Sequence, residues 1–129
     1  MKMLVFRSDL FKPYLPDDAQ VNPNVLGFEL AHWLSRELAA RGTVTSYPNS
    51  EDWGWFLDFT DAGSEYMICC MGSLEDDGFE WRVYVTQPKR FFRKSFEGPA
   101  GARMLQTIRM MLEGAAITVE QEDDGAGKS

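Results

Sequence analysis

The chain has 129 residues, of which 44% are hydrophobic and 26% are charged, a composition typical of one globular domain with one core. Its formal net charge is -7, so the protein as a whole repels phosphate backbones and anionic membrane surfaces. The charge counts against nucleic acid and membrane as partners and favours a positively charged protein.

Neither export nor membrane insertion is predicted for this chain. Its amino-terminal stretch MKMLVFRSDLF meets charges at Arg7 and Asp9, and no run of about 18 apolar residues occurs. We therefore expect a cytoplasmic protein. The two cysteines, Cys69 and Cys70, are adjacent in the chain, and a disulfide between neighbours is strained. We expect both thiols to be reduced and to serve packing.

A first strand and a first helix are predicted in the amino-terminal third. Residues 3–7, MLVFR, are typical of a strand, and the Pro-, Asp- and Asn-rich residues 13–24 predict a long loop. The helix is expected to begin with Asn22 as its cap and Pro23 as its first residue, and to end at Gly42. Its predicted apolar face repeats every three or four residues and comprises Leu26, Leu30, Trp33, Leu34 and Leu38.

Three strands are predicted next, at 53–59, 66–71 and 79–86. They are separated by DAGS at 61–64 and LEDDG at 74–78, which are rich in residues that tolerate turn conformations. The first and third strands alternate between two faces, whereas YMICCM in the second is apolar on both faces, as in a central strand. Three short strands joined by tight turns indicate an antiparallel meander.

The carboxyl-terminal part is predicted to contain a second helix. It runs from about Pro99 to about Leu112, with Gly114 as its stop. The segment AITVE at 116–120 is either a last short strand or an extended docking segment. The polar residues 121–129, QEDDGAGKS, are expected to form a disordered acidic tail.

These elements predict an α+β protein with one domain over residues 1–120, followed by the tail. The predicted order is β-α-β-β-β-β-α, three of the four consecutive strands being those assigned above. Two amphipathic helices can cover one face of a mostly antiparallel sheet, so the opposite face is left open to solvent or to a partner.

Motifs for catalysis and metal binding are absent from the sequence. The single histidine, His32, falls on the polar side of the first helix, and the adjacent cysteines lack a CxxC spacing, so no metal or other cofactor is predicted. GxGxxG, GxxxxGK[ST], GxSxG and HExxH do not occur. Distant carboxylates could still pair in a hydrolase site, but nothing in the sequence favours one. We predict a protein that is not an enzyme.

One basic stretch interrupts the acidic chain. KRFFRK at 89–94 contains four of the thirteen Lys and Arg residues, interleaved with Phe91 and Phe92. Basic and aromatic residues together can bind single-stranded nucleic acid. Alternatively, the phenylalanines anchor a connection to the core while the cations balance nearby acids, and the net charge favours this second interpretation.

The segment EDWGWFLDF at 51–59 assigns the two faces of the sheet. Trp53, Trp55, Leu57 and Phe59 are predicted to face the helices, and Gly54 allows close approach of a neighbouring element. The opposite face receives side chains that mix Phe, Tyr, Met and Arg with acids, which is typical of the centre of a protein interface. From the second strand it also receives either Tyr66, Ile68 and Cys70 or Met67, Cys69 and Met71. The residues predicted to bind a partner are Asp52, Phe56, Asp58, Thr60, Glu80, Arg82 and Tyr84.

The motif EDWGW, preceded by GFELAHWLSRELAARG and followed by an F-x-W-x-V strand, resembles a group of small uncharacterised bacterial proteins that are acidic and have a single domain. The resemblance covers residues 27 to about 92. Several such proteins are similar in style to immunity proteins, which bind and block a toxin made by the same cell. The resemblance implies the fold and a non-enzymatic protein, and no catalytic residue accompanies it.

Three functions stay open at this point. The first is a cytosolic protein-binding domain, most concretely an immunity protein that neutralises a cognate bacterial toxin, with acidic charge steering it to a basic partner. The second is a secretion or effector chaperone, a class that is also small and acidic but dimerises. The third is a small ligand-binding module or enzyme that uses the open sheet face. A toxin gene or an exported-substrate gene nearby would separate the first two.

Overall fold

Six strands and two helices make up the part of the chain that the computed structural model describes, residues 2–13, 25–88 and 98–123. Their order along the chain is β1 (Lys2–Arg7), α1 (Phe28–Ala40), β2 (Asn49–Glu51), β3 (Gly54–Asp61), β4 (Ser64–Glu75), β5 (Gly78–Thr86), α2 (Gly98–Gly114) and β6 (Val119–Asp123). None of the described helices is long and apolar enough to cross a membrane.

The six strands form one antiparallel sheet in the order β2-β3-β4-β5-β1-β6. Strands β2 to β5 follow one another as hairpins, and the first strand of the chain then pairs with β5 on one side and β6 on the other. The predicted α+β class with an antiparallel sheet is confirmed. Strand β6 adds one element to the predicted order β-α-β-β-β-β-α.

Both helices pack on the same face of the sheet, as predicted. Helix α1 lies against β3 and β4, and α2 lies against β5 and β6. Burying each fully enclosed aliphatic side chain between these layers contributes about 1.5–3 kcal/mol, so this interface holds the fold together. Its most buried helical members are Leu30, Leu34, Leu38, Ile108 and Leu112, and they meet Leu57, Ile68, Cys70, Trp81, Val83 and Val85 of the sheet.

Two glycines allow close packing within the sheet. A Cβ atom at Gly54 would lie 2.3 Å from the Cys70 carbonyl oxygen, so the close approach predicted at this position is confirmed. A Cβ atom at Gly72 would lie 2.3 Å from the Trp81 ring, which rests over the glycine while its Nε1 donates to the Ser8 carbonyl, 2.9 Å away. Neither position has room for a side chain.

The predicted start of the first helix is wrong. Helix α1 begins at Phe28, and Val25, Leu26 and Gly27 before it are not helical. The reason is tertiary: Gly27 has a φ of 132°, and the carbonyl of Val25 accepts a hydrogen bond from Trp55 Nε1 at 3.1 Å. These contacts hold the segment against the sheet. The predicted caps at residues 22 and 23 lie outside the described residues.

Two further predictions need correction. Trp53 does not face the helices, because Asp52 and Trp53 form the two-residue turn between β2 and β3, and its side chain is 39% exposed. The predicted tail begins too early, because residues 121–123 belong to β6. The rest of the tail, most of the predicted loop at 13–24 and the basic stretch at 89–94 lie outside the described residues.

Candidate partner-binding face

The face of the sheet opposite α1 and α2, here called the helix-free face, carries no helix from the described part of the chain. Strand pairing settles which side chains of β4 belong to it. Met67, Cys69 and Met71 share this face, whereas Tyr66, Ile68 and Cys70 lie in the core under the helices. The helix-free face therefore presents Phe56, Asp58 and Thr60 of β3, Met67, Cys69 and Met71 of β4, and Glu80, Arg82 and Tyr84 of β5.

Apolar side chains surround Cys69 on one half of this face. Phe56 of β3 and Tyr84 of β5 are directly opposite Cys69, and Met67 and Met71 flank it along β4. Cys69 is 1% exposed, whereas the four surrounding side chains are half-buried. We call these five residues the apolar patch. It is an apolar surface built on three paired strands and partly accessible to solvent.

Burial makes both thiols unreactive. It raises the pKa of Cys69 to about 12, a hydrogen bond with Tyr84 acts in the opposite direction, and the Asp58 carboxylate raises the pKa further. Burial, followed by the neighbouring Cys69, also raises the pKa of Cys70 well above its ordinary value. A thiol that stays protonated at neutral pH is a poor nucleophile and a poor metal ligand. Both cysteines are free, with one on each face of β4.

Charged side chains occupy the other half of the helix-free face. The guanidinium of Arg82 lies 3.5 Å from Glu80 on its own strand and 3.2 Å from Glu122 on β6, so it reaches across β1. Its Nη1 is also 3.6 Å from the sulfur of Met3. Met3 and Val5, on β1 between the strands of Arg82 and Glu122, are only 6% and 5% exposed even though no described helix covers them.

A second arginine extends this arrangement. Arg7 contacts Asp77 and lies 3.9 Å from Glu80, which also pairs with Arg82. The five side chains form a continuous series from the β4–β5 turn across β5, β1 and β6, which we call the charge ladder: Asp77, Arg7, Glu80, Arg82 and Glu122. Partly exposed ion pairs contribute only about 0–1 kcal/mol each, so the ladder orients charges more than it stabilises the fold.

The structure brings most of the predicted site residues together. Phe56 and Tyr84 lie in the apolar patch, Glu80 and Arg82 lie in the charge ladder, and Asp58 borders the patch beside Met67. Thr60 is farther along β3 and exposed, and Asp52 is exposed at the tip of the β2–β3 turn. Met3, Val5 and Glu122 were not predicted from the sequence, because no local pattern shows that β1 lies between β5 and β6.

His32, which was predicted to lie on the polar side of the first helix, is not fully exposed to solvent. Its ring is half-buried and stacks on Phe28 with 5.7 Å between ring centroids, and Tyr47 lies 6.2 Å away. This aromatic cluster is on the helix side of the sheet, apart from the helix-free face. In residues 2–13, 25–88 and 98–123, no three His, Cys, Asp or Glu side chains come together as a metal site.

The fold and this face define an α+β protein whose sheet is covered by helices on one side. Comparison with known proteins yields no match to a family model, to a curated protein or to a solved structure. The chemistry of the helix-free face is therefore the basis for a functional assignment.

Proposed function

We propose that the protein is a cytoplasmic, non-enzymatic protein-binding domain, most concretely an immunity protein that neutralises a basic bacterial toxin. The apolar patch beside the charge ladder is the observation that carries the proposal. A partner docks on the helix-free face, with the patch at the centre of the interface and the ladder at its rim.

The patch has the composition of an interface centre. Aromatic residues and methionine are enriched where protein interfaces are driest, and a polar rim surrounds them. Phe56 and Tyr84 supply rigid aromatic area, whereas Met67 and Met71 are flexible and adapt to the shape of a partner. The patch is built on three paired strands, so binding requires little reorganisation of the backbone.

Charge selects the kind of partner. The protein carries a net charge of -7, and Asp58, Glu80, Glu120 and Glu122 all belong to the helix-free face. The cations described on this face, Arg7 and Arg82, are both engaged by acids of the ladder. A basic protein would be steered toward this face, and the association rate would fall as salt screens the charges.

The test begins with genes adjacent to the one that encodes this protein. A basic domain encoded there is produced in bacteria with and without this protein, and the growth of the cells is measured. Binding between the two purified proteins is measured separately. We expect the wild-type protein to restore growth, and Phe56→Ala to weaken binding at least tenfold without unfolding the chain. Asp58→Lys should reduce the association rate, most strongly at low salt.

Met110→Ala is the matched control. Met110 is 61% exposed on α2, so its truncation removes a similar apolar side chain away from the helix-free face. Equal affinities for wild type, Phe56→Ala and Met110→Ala would overturn the assignment of the face. Failure of the wild-type protein to bind any basic neighbour or to restore growth would overturn the proposed function itself.

A further inference from the structure

The outer edge of β6 has no strand partner in the described part of the sheet. The sheet ends at β2 on one side and at β6 on the other. Strand β2 has three residues, whereas β6 has five and pairs only with β1. An exposed edge of this kind can accept an additional strand.

Hydrogen-bond direction shows which backbone groups are available there. The backbone amide of Ser8 donates to the carbonyl of Phe79 at 3.3 Å. Ser8 and Phe79 are the next opposite residues after Arg7 and Glu80, so this bond shows which residues of β1 bond to β5. Backbone groups of even-numbered residues in β1 therefore point to β5, and those of Met3 and Val5 point to β6, because direction alternates along a strand.

The same alternation applies to β6. Glu120 is opposite Val5 and Glu122 is opposite Met3, so the amides and carbonyls of both glutamates are directed at β1. The backbone of Gln121 between them points outward, away from the sheet. Replacing the backbone amide hydrogen of Gln121 would therefore break no hydrogen bond to β1.

Side chains determine what kind of strand this edge accepts. Glu120 and Glu122 are exposed on the helix-free face, and Gln121 is exposed on the opposite face. Pairing with the β6 strand of a second copy would place carboxylates beside carboxylates, which is unfavourable. A strand with Lys or Arg at alternate positions would instead face the two glutamates. A cavity of about 240 Å³ lies among β5, β1 and the start of β6, and it is lined by Arg7, Glu80, Thr118 and Glu120 among others.

We infer that β6 binds an extended basic segment of the partner protein, which adds to the sheet as a seventh strand. This inference rests on the proposed function, since it names the part of a basic partner that pairs with β6. Backbone hydrogen bonds to Val119, Gln121 and Asp123 supply affinity, and the glutamates select the cationic side chains. The added strand would extend the helix-free face and align the partner with the charge ladder.

The experiment uses the full chain and a nine-residue peptide that alternates lysine and valine. In the wild-type protein, we expect the peptide to slow hydrogen exchange of the Gln121 backbone amide at least tenfold. The Gln121→Pro variant should melt at the same temperature as the wild-type protein, because proline is tolerated where the backbone amide of an edge strand faces solvent. It should no longer bind the peptide, because it lacks that amide hydrogen. The Gln121→Ala variant keeps the backbone amide, so it should bind the peptide as tightly as the wild-type protein does.

Several outcomes would overturn the inference. One is that a peptide alternating glutamate and valine binds as tightly as the lysine peptide. The others are that Gln121→Pro binds the lysine peptide as tightly as the wild-type protein does, or that the protein dimerises through β6. The toxin assay separates this inference from the proposed function. If the basic toxin binds Gln121→Pro as tightly as wild type, the inference is wrong and the proposed function stands. If no toxin binds but the lysine peptide protects Gln121, the edge accepts cationic strands and the proposed function is wrong.

Discussion

The carboxylate of Glu122 on β6 accepts a hydrogen bond from the guanidinium of Arg82 on β5, 3.2 Å away, although β1 lies between the two strands. Arg82 therefore spans β1 near one end of the sheet, where its Nη1 contacts the sulfur of Met3 and where Met3 and Val5 are both buried. One side chain thus shields the sheet from water and contributes charge to the partner-binding face.

Arg82→Gln tests both roles. We expect a loss of about 1 kcal/mol in unfolding free energy, because Met3 and Val5 become more exposed while partly exposed ion pairs add little. Association with a basic partner should become faster at low salt, since the face loses a positive charge. Arg109→Gln is the control: it breaks the ion pair with Glu113 on α2 and should cost about 0.3–0.5 kcal/mol with no change in association. A slower association of Arg82→Gln would contradict the charge argument.

Trp55 and Phe56 should respond oppositely to truncation. Trp55 is 5% exposed and its Nε1 donates to Val25, so Trp55→Ala should cost about 3–5 kcal/mol of stability. Phe56 is half-buried on the helix-free face, so Phe56→Ala should affect stability much less and weaken partner binding. Thermal melts and binding measurements on the two variants check this. Unfolding by Phe56→Ala with a stable Trp55→Ala would show that the faces are inverted.

Gly72→Ala should destabilise the protein strongly. The added methyl would lie 2.3 Å from the Trp81 ring, which is fully buried and cannot move without disturbing the core. We expect a loss of about 1–3 kcal/mol in a denaturant titration. Gly114→Ala is the matched control, because nothing lies within 4 Å of a Cβ atom at the end of α2. A loss at Gly72 no larger than that at Gly114 would show that Trp81 does not constrain this position.

Alkaline pH should weaken the fold through Cys69. The folded protein raises its pKa from 9.0 to about 12, so folding favours the protonated thiol. That stability is fully present below about pH 9 and is lost progressively as the pH rises toward 12. Cys69→Ala should reduce the decline of unfolding free energy between pH 9 and 11, the range in which the comparison is made. A decline of equal size in the variant would assign the effect to other groups.

Removing different lengths of the carboxyl terminus should separate β6 from the residues after it. Deletion of residues 124–129 leaves β6 intact, so we expect a melting temperature close to that of the full chain. Deletion of residues 121–129 removes three of the five residues of β6, including the Glu122 partner of Arg82. That variant should melt at least about 4 °C lower, which corresponds to roughly 1 kcal/mol. Equal melting temperatures would show that β6 contributes nothing to stability.

Sequence patterns predicted those structural features that depend only on residues close together in the chain. Period-two alternation placed Trp55 inside and Phe56 outside, because both belong to one regular strand. The same alternation failed at Trp53, because the pattern does not reveal that a two-residue turn interrupts it. Strand β2 is polar and exposed throughout, so it has no apolar signal to detect.

Features that depend on distant pairing could not be predicted. The register of Val5 with Arg82 and with Glu120 is set by the assembled sheet, and no short segment encodes it. For this reason the charge ladder was predicted only in part: Glu80 and Arg82 were identified, whereas Asp77, Arg7 and Glu122 were missed. The start of α1 was wrong for the same reason, since a hydrogen bond from Trp55 holds Val25 outside the helix.

The position of β1 between β5 and β6 has a consequence for how the chain folds. Strand β1 pairs with β5 and β6, so in the described sheet it gains its first partner only after β2, β3 and β4 have been made. Closing such long loops is entropically unfavourable, whereas β3, β4 and β5 pair with near neighbours. We expect pulse-labelled hydrogen exchange during refolding to show protection of the β3–β5 amides before those of β1, and simultaneous protection would contradict this order. Insertion of β1 then joins β6 to the rest of the sheet, so that β6 cannot pair until β1 is in place.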